Sequence, residues 1–302
     1  MPNKGKFRAI DGVVLLDKPG GISSNSALQQ TRSIFRAKKA GHTGSLDPLA
    51  TGLLPICLGE ATKVSGYLLD ADKHYRATCQ LGVTTDTGDC DGQELKRCEV
   101  PALTNDLLEQ VFSKFRGDIM QIPPMYSAIS VDGKRLYKLA RAGKVVERQP
   151  RPVTIRSLDL IEHGDDQFVV DVVCSKGTYI RTLLEDIGAE IGCGAHMTAL
   201  RRHGVSPFVR PEMVTIATLD ATRDAGEDLG QFLLPVDEAL VNFPKVALTG
   251  EQSVKIQQGQ RLVLADLPTT SLLRLYHDDG HFIGIGEYLE GELKGKRLLR
   301  TD

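Results

Sequence analysis

Residues 41–52, GHTGSLDPLATG, place a single carboxylate, that of Asp47, among three glycines. Glycine has no Cβ, so a ligand can approach the backbone of such a loop closely. Pro48 disfavours a helical conformation for the residue before it, which predicts a fixed direction for the Asp47 carboxylate. A carboxylate held in this way can act as a covalent nucleophile. The same pair is typical of a helix start, with Asp47 as N-cap, and the loop alone favours that structural interpretation.

Signatures of several other kinds of site are missing from the sequence. There is no G-x-x-x-x-G-K-[ST] or H-E-x-x-H segment, which argues against nucleoside triphosphate hydrolysis and zinc proteolysis. The six cysteines include no C-x-x-C pair, so the sequence predicts neither a disulfide framework nor a metal site. Residues 86–92, DTGDCDG, lack the acidic spacing of a calcium loop and predict an ordinary polar loop.

The composition is that of an ordinary globular protein. The chain has 302 residues, with 37 Lys and Arg against 39 Asp and Glu, and 41% of its residues are hydrophobic. No apolar run approaches the roughly 18 residues of a membrane span, and residues 1–6 lack the apolar core of a signal peptide. We therefore expect a cytoplasmic protein that makes no membrane contact.

Charge is distributed unevenly along the chain. Residues 129–156 carry eight Lys and Arg against two acidic residues, whereas residues 217–240 carry six acidic residues against one Arg. Clustered bases on a protein whose net charge is only −2 favour contact with a polyanion such as RNA. An ordinary solvated helix face explains the basic block about equally well when charge is considered alone.

Hydrophobic periodicity and capping residues predict a mixture of strands and helices. The predicted strands are 12–19, 52–58, 75–81, 153–161 and 168–174. The predicted helices are 24–37, 61–69, 104–115, 134–142 and 178–190. Without strict strand–helix alternation, these elements predict an α+β fold with a mixed, largely antiparallel sheet and flanking helices. Alternating apolar residues and turn signals after the acidic segment predict a small β-rich module, which divides the chain into 1–240 and 241–302.

Four segments of the sequence occur in an order that is specific to one known family. They are LLDKPGGISS at 15–24, the glycine-rich loop at 41–52, KHYR at 73–76, and SKGTYIRTL at 175–183 followed by DIG at 186–188. On these segments the chain resembles the TruB family of tRNA pseudouridine synthases. The resemblance spans about residues 8–211. Residues 241–302 match the family's small C-terminal RNA-binding domain of PUA type only in their general pattern of alternating apolar residues and turn signals.

The resemblance implies a fold and a reaction. The fold is the pseudouridine synthase fold followed by the PUA-like module. The reaction converts uridine 55, in the TΨC loop of tRNA, to its C-glycoside isomer, and it needs no cofactor or metal. The target nucleotide must leave its stack to be reached. A non-catalytic tRNA-binding or RNA-folding protein on the same fold is the alternative. Neither terminus carries the long basic extension of a guide-dependent relative, so no obligatory protein partner is expected.

The resemblance also implies roles for individual residues. Asp47 matches the family's catalytic aspartate, and Arg181 is expected to pair with it and to lower its pKa. The expected substrate-binding residues are His42, Tyr75, Tyr179, Arg181 and Leu200. Residues 124–152 correspond to the family's inserted segment that grips the T arm of tRNA. The bases expected to meet its phosphates are Lys134, Arg135, Lys138 and Arg141.

Overall fold

The computed structural model of the protein describes residues 7–127, 129–131, 133–264, 267–268 and 271–300. The strands in the first part of the chain are β1 Gly12–Lys18, β2 Ala40–His42, β3 Thr51–Leu58, β4 Lys73–Leu81, β5 Val83–Thr85, β6 Glu94–Arg97 and β7 Gly117–Gln121. They are followed by β8 Ser130–Val131, β9 Lys134–Arg135, β10 Arg151–His163, β11 Gln167–Cys174, β12 Ala195–Val205, β13 Phe208–Val209 and β14 Val214–Thr215. The last strands are β15 Lys245–Leu248, β16 Leu262–Val263, β17 Leu272–His277, β18 Phe282–Leu289 and β19 Glu292–Leu298.

Seven α-helices and three short 3₁₀ helices connect these strands within the described residues. The α-helices are α1 Ser24–Phe35, α2 Ser65–Asp70, α3 Asn105–Ser113, α4 Leu136–Arg141, α5 Ile180–Ile191, α6 Ile216–Asp224 and α7 Gly250–Gln257. The 3₁₀ helices are Gly59–Lys63, Leu229–Phe232 and Val236–Leu240. No helix in the described part of the chain is long and apolar enough to cross a membrane.

The central feature is a ten-stranded sheet with the order β14-β1-β3-β12-β4-β11-β10-β7, in which β2 pairs with β3 and β13 pairs with β12. Only the pairs β1 with β14 and β3 with β12 are parallel, and the other pairs are antiparallel. A second sheet, with the order β15-β17-β18-β19-β16, forms the C-terminal part. The predicted α+β class and the β-rich C-terminal part are therefore confirmed.

The strand β4 shows how the sequence pattern builds this sheet. Its odd-numbered residues from Lys73 to Leu81 are buried, and the residues between them are partly exposed. Alternate side chains of a strand point to opposite faces, so one face of β4 packs into the core. That core includes Phe112, Phe168 and Leu183 from the helices and strands around it. A separate cluster covers the sheet where β1 and β3 pack against α1.

The basic segment folds differently from its prediction as one helix over 134–142. Lys134 and Arg135 pair with Val131 and Ser130 in an antiparallel ladder, and α4 begins only at Leu136. Gly133 turns the chain between the two strands at a φ of +75°, a conformation that favours glycine. The prediction was therefore wrong for the first two residues of that helix.

Further elements differ from the predictions, and β7, β12 and α6 were not predicted. The helix predicted over 61–69 is a 3₁₀ helix, Gly59–Lys63, followed by α2. The C-terminal part contains α7, which the alternating pattern did not predict. Thr249 and Gln252 form a capping box at its start, because each side chain binds the other residue's backbone N–H.

Candidate active site

Asp47 lies in the loop between β2 and β3. The Ala50 N–H donates to the Asp47 carbonyl at 3.1 Å, which closes one turn, and the next element is the strand β3. The interpretation of Asp47 as a helix N-cap is therefore wrong. The carboxylate is left to interact with groups brought from elsewhere in the chain.

The connection between β1 and α1 holds this loop from two sides. Lys18 Nζ, at the end of β1, donates to the carbonyls of Pro48 at 3.2 Å and Ala50 at 2.7 Å. Ser24 Oγ, at the start of α1, accepts from the Leu46 N–H at 2.7 Å. Burial lowers the pKa of Lys18 to about 8. The loop is thus anchored on both sides of its acidic residue.

Arg181, in the first turn of α5, brings a guanidinium to the carboxylate. Its Nε lies 3.0 Å from Asp47 Oδ2, and its Nη1 lies 3.4 Å from Asp89 Oδ2. The same guanidinium donates to the Thr87 carbonyl at 2.7 Å and the Tyr126 carbonyl at 2.9 Å. The Arg181 side chain is only 4% exposed, so these four contacts fix its direction.

Arg181 lowers the pKa of Asp47 as predicted, but the net direction of the shift is upward. Burial raises the pKa of this carboxyl above its ordinary value, and the neighbouring Asp89 carboxylate raises it further. Arg181 and Lys18 oppose that rise and do not cancel it. The Asp47 side chain is 38% exposed, and its exposed part opens into a cleft.

The cleft has a volume of about 770 Å³ and lies beside the end of the large sheet where β4, α5 and the Asp47 loop meet. Five of the residues predicted for catalysis or substrate binding line it, together with residues of the basic segment. These five are His42, Asp47, Tyr75, Tyr179 and Arg181. A space of this size accommodates a flipped-out nucleotide.

Leu200 has a different position from the other predicted site residues. It is buried in the hydrophobic cluster that also contains Tyr75, Leu46 and Ala50. Among the described residues that line the cleft, Leu200 is absent. It therefore supports the cleft from behind.

Two predicted site residues are positioned by backbone contacts. The Tyr179 N–H donates to Gln121 Oε1 at 2.8 Å, and the Tyr179 carbonyl accepts from Gln121 Nε2 at 3.0 Å. His42 is the last residue of β2 and pairs with Ile56. Its Nδ1 is buried without a hydrogen-bond partner among the described residues, and burial lowers its pKa. The ring is therefore neutral at physiological pH.

The four bases predicted to meet RNA phosphates are all exposed. Arg141 also lines the cleft, and its guanidinium lies 5.7 Å from the centre of the Tyr137 ring. Lys134, Arg135 and Lys138 lie outside the cleft on the same β8–β9–α4 segment. The segment thus extends the basic surface beyond the opening.

Sequence reasoning missed three charged residues at this site: Lys18, Asp89 and Arg202. Asp89 was taken for part of a polar loop, yet it is buried and accepts from Thr87 Oγ1 at 2.5 Å. The pattern around each of these residues carries no signal of a role, because each role comes from distant segments. No group of three potential ligand side chains in the described residues can hold a metal ion.

Three protein-family models match successive parts of the chain between residues 32 and 299. The model of the TruB family pseudouridylate synthase N-terminal domain matches residues 32–180. The model of the tRNA pseudouridylate synthase B C-terminal domain matches residues 181–241, and that of the pseudouridine synthase II TruB C-terminal region matches residues 244–299.

Curated relatives match over nearly the whole chain. The tRNA pseudouridine synthase B of Stutzerimonas stutzeri strain A1501 is 50% identical over 298 residues, which cover 98% of this chain and 97% of the relative. The protein of the same name from Coxiella burnetii strain RSA 331 is 48% identical over 296 residues, which cover 97% of this chain and 96% of the relative.

Solved structures share the fold. A chain in the structure of an H/ACA RNP bound to a substrate RNA containing 2′-deoxyuridine has a TM-score of 0.74 and 23% identity, covering 96% of this chain and 85% of its own length. A chain of a Cbf5-Nop10-Gar1 complex has a TM-score of 0.72 and 25% identity, covering 96% and 84%.

The large mixed sheet, the C-terminal β-rich part and the matched models together define a pseudouridine synthase. Its reaction is the isomerisation of uridine to pseudouridine in tRNA. Within that class, the chain belongs to the TruB family.

Proposed function

We propose that the uridine is that at position 55, in the TΨC loop of tRNA, and that Asp47 is the nucleophile. The observation that supports Asp47 as nucleophile is its carboxylate, which opens into the cleft while Arg181 holds it at 3.0 Å. Fixed and oriented in this way, one carboxylate oxygen is available to an incoming nucleotide. Position 55 rests on the resemblance to the TruB family.

The reaction rearranges bonds within one nucleotide and needs no oxidant, reductant or group donor. The C1′–N1 bond breaks, the base turns, and a new bond joins C1′ to C5. The proton on C5 leaves to solvent, and N1 gains a proton. The Asp47 carboxylate attacks either C1′ of the ribose or C6 of the base, and both routes use the same oriented oxygen.

The residues around Asp47 retain the base while it is detached. Tyr75 lies in the wall with its ring buried, where it can stack on the uracil. Tyr179 forms another part of the wall, and Leu200 supports the wall from behind. The neutral ring of His42 lies at the cleft and is suited to fill the space that the base leaves in the RNA loop.

Binding outside the cleft must offset the cost of extruding the nucleotide, which is a few kcal/mol. We infer that the T arm supplies this binding through its phosphates. Lys134, Arg135, Lys138 and Arg141 are exposed on the insertion that spans about residues 124–152. In the same proposal residues 1–240 form the catalytic domain, and residues 241–302 form a small PUA-like RNA-binding domain. Shape and loop bases, more than helix sequence, then determine recognition.

The direct test uses unmodified tRNA transcript carrying tritium at uridine C5, incubated with the purified protein without added cofactor. We expect tritium release that corresponds to one modified position, in the TΨC loop. The Asp47→Asn variant should release no label and should bind tRNA with nearly the parental affinity.

Asp91→Asn is the matched control, because Asp91 is an exposed carboxylate that lines the same cleft. It should release label at the parental rate. Release by Asp47→Asn would overturn the assignment of the nucleophile. Release from a uridine outside the TΨC loop would overturn the assignment of the substrate position.

A further inference from the structure

Arg202 is a buried cation directly beneath the cleft. It lies in the middle of β12, opposite Tyr75 of β4 in one ladder and opposite Gly52 of β3 in the other. It is 1% exposed and still contributes to the lining of the cleft. A Cβ at Gly52 would lie 2.3 Å from the Arg202 carbonyl, so the two strands approach so closely that only glycine fits.

The charge of Arg202 is not matched by a carboxylate. No carboxylate oxygen among the described residues lies within 4.0 Å of its guanidinium. Two other buried cations, Lys18 and Lys73, lie near it. Burial lowers the pKa of each lysine to about 8, and the charge of Arg202 contributes to that lowering. An isolated buried charge is unfavourable for folding. The presence of such a charge at this place therefore points to a use other than stability.

The guanidinium instead binds the backbone on both sides of Asp47, at Gly44 in the loop and at Leu53 in β3. Nη2 donates to the Gly44 carbonyl at 3.1 Å, three residues before Asp47. Nε donates to the Leu53 carbonyl at 2.7 Å, at the start of β3. One rigid planar group thus spans the loop from below, because the donors of a guanidinium have a fixed geometry.

The contacts of Arg202 complement those of Arg181. Arg181 acts on the Asp47 carboxylate itself, whereas Arg202 acts on the backbone that carries it. Arg202 also lowers the pKa of the Tyr75 hydroxyl, against the larger opposing effect of burial. One guanidinium thus holds the backbone around Asp47 and lies close enough to Tyr75 to affect its hydroxyl, without needing to touch the substrate.

We propose that Arg202 is a positioning residue for uridine isomerisation. By holding the carbonyls of Gly44 and Leu53, its guanidinium sets the position and direction of the Asp47 carboxylate in the cleft. This inference rests on the assignment of Asp47 as nucleophile. It predicts a loss in the chemical step with little change in tRNA affinity, because the phosphate-binding surface lies on another segment.

The test compares Arg202→Lys and Arg202→Gln in the full-length protein by single-turnover tritium release and by tRNA binding. A positioning error can cost about 100-fold in rate. We expect that loss for Arg202→Gln, with Kd within threefold of the parent. Arg202→Lys keeps the charge and can reach one carbonyl, so it should be at least tenfold faster than Arg202→Gln.

The adjacent Arg201→Lys is the matched control. Arg201 is 38% exposed, its Nη2 pairs with Asp17 at 2.8 Å, and its Nη1 reaches the end of the Asp47 loop only at the Thr51 side chain, at 3.4 Å. Its single-turnover rate should stay within threefold of the parent. Rates within threefold for both Arg202 variants would overturn the inference. Loss of cooperative melting in both variants would also overturn it, because Arg202 would then be a purely structural residue. Activity in Asp47→Asn would show that the proposed nucleophile itself is wrong, whatever the Arg202 variants do.

Discussion

Replacing Arg181 with methionine tests whether the ion pair sets both the direction and the ionisation of Asp47. Methionine keeps much of the length of the side chain and removes every donor. The variant therefore leaves Asp47 and Asp89 without the guanidinium that lies 3.0 Å and 3.4 Å from them. We expect the activity to fall and its acid limit to move to higher pH.

The magnitude follows from the geometry of the pair. Two unit charges about 4 Å apart interact with about 4 kcal/mol at an effective dielectric constant of 20. The Asp47 side chain is 38% exposed, so water screens the pair and about half of that energy is retained. Losing about 2 kcal/mol of stabilisation of the ionised carboxylate lowers its ionised fraction, and with it the rate, by up to about 30-fold at a pH well below the pKa of Asp47.

The sign of the pH effect is fixed by the same charges. Ionised Asp47 is the reactive form, so activity is lost as pH falls through its pKa, which burial already raises above the ordinary value. Removing Arg181 removes the largest opposing effect, so the pKa rises further and the acid limb moves upward. The single-turnover rate is measured against pH for parent and variant, with tRNA saturating. An unmoved acid limb alongside a lower rate would falsify the proposed control of ionisation by Arg181.

Three further predictions concern affinity, stability and the nucleophile. Replacing Lys134 and Lys138 together with Gln should weaken tRNA binding and reduce the slope of log K against log salt by up to about 2, since each phosphate contact contributes about 0.9. Burial raises the pKa of Glu185 to about 7, so folding is weakened as pH rises from 4.5 to 7. Glu185→Gln should therefore raise the free energy of unfolding at pH 8 by about 2 kcal/mol, with no gain below pH 4.5. Asp47→Asn should abolish tritium release at every pH.

Each of these predictions has a contradicting result. An unchanged salt slope for the double lysine variant removes the β8–β9–α4 segment from the RNA interface. For Glu185→Gln, urea unfolding at pH 4.5 and pH 8 decides, and an equal gain at both values rules out titration of Glu185 as the cause. Label release by Asp47→Asn that recovers at high pH contradicts a nucleophilic role.

Local patterns predicted five of the ten strands of the large sheet, namely β1, β3, β4, β10 and β11, and missed the central strand β12. The alternation from Tyr75 to Leu81 depends only on the period of a strand, and it was confirmed with the strand extended to Lys73. The helix over 178–190 was also confirmed, as Ile180–Ile191. The start of α4 was missed because Lys134 and Arg135 have helix-compatible side chains, and their pairing partners decided the outcome.

Only the site residues that lie in the four family segments could be predicted from the sequence with a position at the cleft. Those segments placed Asp47, Tyr75, Tyr179 and Arg181 at one cleft, and the structure brings them together there. They did not show that Leu200 lies behind the wall, because burial of a leucine depends on the packing of several strands.

The sequence by itself determined the strand and helix periods, the glycine-rich loop around Asp47, and the family. These are properties of neighbouring residues or of an ordered set of short segments. Only the tertiary structure decided the electrostatics. The pKa of Asp47 is raised because distant segments of the chain exclude water from its carboxyl, and this effect is larger than the opposing effect of Arg181. The role inferred for Arg202 likewise depends on strands β3, β4 and β12 meeting, which no local pattern encodes.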